Sequence, residues 1–145
     1  MRRLRRFVAL PAPEKRLLVT AVLLLPLVRV ALLAVPFQTL RRLLATLARP
    51  PNVVNAVRRL TPERLAWAVT AAARHMPGTW TCLVQALALR VLLYRHGHPA
   101  TLRLGVARQG SGEFAAHAWV ECEGRPVGGA SLASGFTPLP ALEGK

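Results

Sequence analysis

The sequence predicts an α+β domain: a central helix carrying a cysteine, packed on a small antiparallel sheet carrying a histidine, and preceded by a helical arm. Three observations predict it. Apolar residues recur at helical spacing as far as about residue 96, and from residue 100 they alternate strictly, as strands require. Turn residues punctuate the change, with Gly97 and Pro99 closing the last helix and Gly110-Ser111-Gly112 separating two strand-like runs. Helices first and an antiparallel sheet afterwards is the pattern of an α+β domain.

In chain order, residues 1–16 are basic and contain Pro11 and Pro13, and Glu14 stands where a helix can begin. Leu17–Val28 is a run of 12 uncharged residues ended by Arg29. A membrane-spanning helix needs about 20, and no small-x-small cleavage site follows the run, as a secretory signal would require. The expectation is therefore a helix kinked at Pro26 and buried against the domain or a partner. Leu40, Leu43, Leu44 and Leu47 mark one face of a second helix. Pro50-Pro51-Asn52 breaks it, so the boundary between arm (residues 1–55) and core (residues 56–145) is expected near 50–60. Thr61-Pro62-Glu63 starts a third helix, with an N-cap, a proline in the first turn and an acid after it, and Pro77-Gly78 stops it. The fourth, from Cys82 to about His96, is apolar on nearly every face, which predicts the buried centre of the domain. Ala100–Arg108 and Phe114–Cys122 read as strands, and Glu123-Gly124 as a two-residue hairpin into Arg125-Pro126-Val127.

A composition of 52% hydrophobic and 18% charged residues excludes a disordered chain. Two cysteines make no disulfide framework and suit a reducing, cytoplasmic compartment. The net charge of +14 is concentrated in residues 1–60, with 12 Lys/Arg against one acid. Such an arm suits an acidic partner or peripheral contact with an anionic membrane. Nucleic acid is not expected, because no aromatic residues interleave with the arginines of the first six positions to stack on bases.

The chemistry centres on Cys82. A cysteine at a helix start lies among unpaired backbone N–H groups and the positive end of the helix dipole, which favour the nucleophilic thiolate and can hold an oxyanion. Either Thr79 or Thr81 can cap that helix. His117, in a strand otherwise made of Ala, Trp and Val, needs a polar partner, and the two residues together suggest a nucleophile and its base. Alternation puts His117, Trp119 and Glu121 on one face and Cys122 on the other, so Cys122 is expected in the core. Glu121 lies about 13 Å along the strand from His117 and cannot orient the imidazole. The hairpin puts Ala130 opposite His117, so an orienting group is expected from Val127 to Ser131, where no carboxylate exists. His96 and His98 sit in a helix-ending turn with no ligand set beside them, and no metal or other cofactor is expected.

The block Pro77-Gly78-Thr79-Trp80-Thr81-Cys82-Leu83-Val84-Gln85-Ala86-Leu87, followed by Gly97-His98-Pro99-Ala100 and then His117-Ala118-Trp119-Val120-Glu121, resembles the transglutaminase-like cysteine peptidases of lasso-peptide maturation. The resemblance covers roughly residues 60–140. It implies a papain-like core and a leader peptidase acting on a ribosomally made antibiotic precursor, with Cys82 as nucleophile and His117 as base. It further implies three partners: the precursor's leader peptide, a separate small winged-helix leader-recognition protein, and an ATP-dependent lasso cyclase. The family often has an aspartate near position 129, where this chain has Gly129. A non-catalytic docking or scaffold protein of the same fold, and a membrane-surface protein organised by the arm, are the alternatives.

Overall fold

The computed structural model describes residues 5–6, 8–47, 60–128 and 135–140. Residues 50–59 of the expected boundary lie outside them, as do Gly129, Ala130 and Ser131. Among the described residues, the helices α1 (Ala12–Ala34), α2 (Phe37–Leu47), α3 (Pro62–His75) and α4 (Cys82–Arg95) precede the strands β1 (Ala100–Arg108), β2 (Phe114–Cys122), β3 (Arg125–Val127) and β4 (Thr137–Pro138). The sheet is antiparallel, in the order β3-β2-β1-β4.

Each helix boundary has a local cause. Thr61 and Thr81 take extended backbone angles and their hydroxyls accept from the N–H groups of Arg64 and Val84, each satisfying one orphan donor of a first turn. Gly97, at φ 77°, takes the left-handed conformation that closes α4. The ring of His98 then donates to the carbonyl of Leu60 at 2.8 Å, tying that turn to the segment entering α3. Glu123 and Gly124 both have positive φ, at 53° and 76°, the signature of the two-residue turn expected between β2 and β3.

The helices α3 and α4 pack on each other and α4 lies against the sheet. On α4, Val84, Leu87, Ala88, Leu92 and Leu93 are buried, and they share one core with Ala118, Val120 and Cys122 from β2 and Leu102 from β1. The N-terminal helix is a full contributor to this core. Leu17, Ala21, Leu25 and Val28, spaced along one face of α1, belong to the same cluster, and Leu40 of α2 joins them. Truncating an enclosed leucine of this kind costs about 2–5 kcal/mol, so the packing of α1 is worth far more than a surface contact. Glu14 of α1 also forms an ion pair with Arg64 of α3.

Two details differ from expectation. The helix α1 begins at Ala12, two residues before Glu14, and continues helical through Pro26 to Ala34. It thereby passes Arg29 and, by length and composition alone, is long and apolar enough to cross a membrane. The strand β4 has no counterpart in the sequence reading. It pairs Thr137 and Pro138 with Val106 and Gly105, and the N–H of Leu139 donates to Leu104 at 2.8 Å.

Candidate active site

The loop Pro77–Thr81 delivers Cys82 to the first position of α4, half-buried. Of the first-turn amides, that of Val84 is taken by the Thr81 hydroxyl and that of Gln85 by the Thr81 carbonyl. The N–H groups of Cys82 and Leu83 have no partner within the helix, as helix geometry dictates. The Gln85 side chain donates back to the carbonyl of Trp80 at 2.9 Å, fixing the peptide just before the cap.

The loop is also held from α1. Arg29 donates to the carbonyl of Thr79 at 3.2 Å and sets its guanidinium 5.4 Å from the centre of the Trp80 ring. A hydrogen bond to a carbonyl and a cation–π contact together fix the residues leading into Cys82. We expect Arg29→Met, which keeps much of the side chain's bulk, to lower kcat about tenfold with little change in KM, since a small misplacement of a reacting group is costly. Arg29→Lys should recover part of the loss. Steady-state kinetics checks both.

His117 and Cys82 line the same cavity, of about 370 Å³, together with Thr70 and Arg74 of α3 and Gly128 after β3. Strand β3 pairs only with Val120–Cys122, so the consecutive residues His117, Ala118 and Trp119 present one edge of β2 to this space. The imidazole is flanked by two aromatic rings, Trp119 at 6.0 Å between centroids and an interplanar angle of 20°, and Phe136 at 5.2 Å and 35°. Its Nε2 is enclosed and has no hydrogen-bond partner among the described residues; Trp80 Nε1 is in the same condition. Buried polar atoms are nearly always satisfied within the fold, and exceptions concentrate where a group must be available to something else.

Glu121 is occupied elsewhere. One carboxylate oxygen accepts from Arg103 Nε at 3.0 Å and the other from Trp119 Nε1 at 3.3 Å. The acid thus steadies the indole that flanks His117 and acts on the imidazole only through it. On β1, Gly105 sits directly opposite His117 in the register. A Cβ at Gly105 would lie 2.7 and 2.8 Å from ring carbons of Trp119 and 3.0 Å from Phe136 Cβ, so only glycine leaves both rings where they are. Sequence alone assigns neither Gly105 nor Phe136 a role beside His117, although Phe136-Thr137-Pro138-Leu139 is part of the family resemblance and a glycine between Leu104 and Val106 of an alternating strand is a visible signal.

Cys122 is buried on the core face of β2, away from His117. Burial pushes its thiol above the usual cysteine range, the carboxylates of Glu123 and Glu63 push the same way, and Arg125 opposes them. A raised pKa keeps the thiol protonated at neutral pH and withholds the reactive thiolate to higher pH than for an ordinary cysteine. Iodoacetamide on the native protein at about pH 7, where an ordinary thiol is mostly protonated, should therefore label Cys82 and spare Cys122, with both labelled after denaturation. Peptide mass mapping reads the difference. His96 and His98 each give a ring nitrogen to a backbone carbonyl, of Leu92 and Leu60, and no group of three or more metal-ligating side chains occurs among the described residues.

A second, larger groove of about 650 Å³ shares Thr70 and Arg74 with the cavity and is walled by Leu18, Val22 and Trp67. Residues 24–141 match the family model described as Transglutaminase-like superfamily. Neither curated proteins nor solved structures gave a match.

Proposed function

Because the chain belongs to the transglutaminase-like superfamily, a fold typical of cysteine peptidases and transglutaminases, we propose that it is the cysteine peptidase that removes the leader from a lasso-peptide precursor. The observation that carries this is the shared cavity of Cys82 and His117, with an enclosed imidazole nitrogen that has no competing partner among the described residues. An apolar groove that borders the cavity at Thr70 and Arg74 is in keeping with an extended, peptide-like substrate.

In this reading Cys82 Sγ attacks the carbonyl carbon of the scissile peptide bond while His117 takes the thiol proton. The negative oxygen is met by the N–H groups of Cys82 and Leu83, which the helix leaves unused. The C–N bond breaks as His117 gives its proton to the departing amine, leaving a thioester on Cys82. His117 then takes a proton from water, whose oxygen displaces the sulfur and releases the leader's carboxylate. The winged-helix recognition protein presents the leader and the cyclase receives the core, in the reducing cytoplasm where both thiols persist.

The test is incubation of a precursor with the protein, in the presence and absence of the recognition protein, followed by mass spectrometry. Cleavage at one bond, just after the leader, is the expected result. An intact precursor with both proteins present would remove this reading. A scaffold role is favoured instead if Cys82 alkylates no faster than an ordinary thiol, a reading kept in view by Gly129 standing where the resembled family often has an aspartate.

A further inference from the structure

The inward face of α1 is accounted for by the core; the outward face is not. Val19, Leu23, Leu27, Val30 and Leu33 are all exposed, Leu23 at 66%, Leu27 at 61% and Leu33 at 84%. At 100° per residue, Val19, Leu23, Leu27 and Val30 form one stripe diametrically opposite Leu17, Ala21, Leu25 and Val28. Arg16, also exposed, continues the stripe towards the N-terminus. A helix that is apolar on every side is normally enclosed on every side, and here one side is open from Val19 to Val30, about 16 Å of helix.

The charge of the segment that carries the stripe points to what would cover it. Arg16 is exposed in line with the stripe, Arg5 and Arg6 are exposed before α1 and Arg42 on α2, and the one acid of residues 1–60, Glu14, is held by Arg64. An apolar face in a strongly cationic segment matches the interface of an anionic bilayer, where the side chains enter the acyl boundary and the arginines meet lipid phosphates. A second copy fits poorly, since it would bring two strongly basic segments face to face. A spanning orientation is also excluded for the folded domain, because Leu17, Ala21, Leu25 and Val28 would have to leave the core.

We propose that α1 is a dual-purpose helix whose inner face builds the core and whose outer stripe seats the protein in the surface layer of an anionic membrane. The proposal is independent of the chemistry at Cys82. Its test is co-sedimentation of the full chain with vesicles of phosphatidylcholine containing phosphatidylglycerol, against vesicles of phosphatidylcholine alone. Binding is expected to the first, to weaken when salt is raised, and to fall about tenfold or more in Leu23→Gln/Leu27→Gln. Both positions are exposed, so the variant should melt as the wild type does. Wild-type protein that ignores the anionic vesicles, or a double variant that binds as well as wild type, overturns the proposal. So does a double variant that changes only the oligomeric state in size-exclusion chromatography, which would assign the stripe to a second copy.

Discussion

If the proposed peptidase activity holds, Cys82→Ala is expected to leave a folded protein that does not cleave a precursor, with activity down by about four orders of magnitude or more, the scale seen when a covalent nucleophile is deleted. The fold should tolerate the change. Cys82 is only half-buried, alanine is the best helix former, and the cap donated by Thr81 does not involve the cysteine side chain. His117→Gln should be comparably inactive while partly filling the space between Trp119 and Phe136. Neither substitution should move the thermal midpoint by more than a few degrees. A Cys82→Ala protein that still cuts at the same bond would end the peptidase reading whatever the state of His117.

Gly105→Ala is the second large effect expected, and it contains no catalytic group. The added methyl would sit 2.7 Å from the Trp119 ring and 3.0 Å from Phe136 Cβ, so both flanking rings must shift, and His117 with them. Overpacking of this kind costs about 1–3 kcal/mol of stability. The activity should suffer more than the stability, by about a hundredfold in kcat, because a displacement near 1 Å of a reacting group is that costly. Thermal melts and steady-state kinetics on the same preparation separate the two effects. If kcat is unchanged while the melt falls, the aromatic rings serve only the core and do not position the imidazole.

Much of the fold was legible because it is written in local periods. The limits of β1 and β2, the start of α4 and the Glu123-Gly124 turn follow from alternation, capping and turn chemistry within a few residues of each feature. The two-residue strand β4 has no period to detect, and it contains a proline; its pairing with Gly105 exists only once the chain has turned back onto β1. At the candidate site, Cys82 and His117 could be singled out as a candidate pair from the sequence, and the structure gives both carboxylate oxygens of Glu121, which distance along the strand had set aside, to Arg103 and Trp119. The contacts that hold Cys82 and His117 were not legible. Arg29 looked like the end of an apolar run, because its partners Thr79 and Trp80 are brought to it only by the packing of α1. The orienting group sought between Val127 and Ser131 lies mostly outside the described residues, and the two aromatic rings beside His117 are what the remainder of the site supplies.

The reach of Arg29 to Thr79 also bears on the order in which the candidate site can be assembled. That contact joins residues 50 apart in sequence, and the histidine lies later still, on a strand that emerges after α4 is complete. During synthesis α1 emerges before α3 and α4, two later helices that cover its core face. A nascent chain ending anywhere before β2 holds Cys82 without the histidine that shares its cavity. The thiol is therefore made before the residues of β2 and β3 that complete the cavity around it.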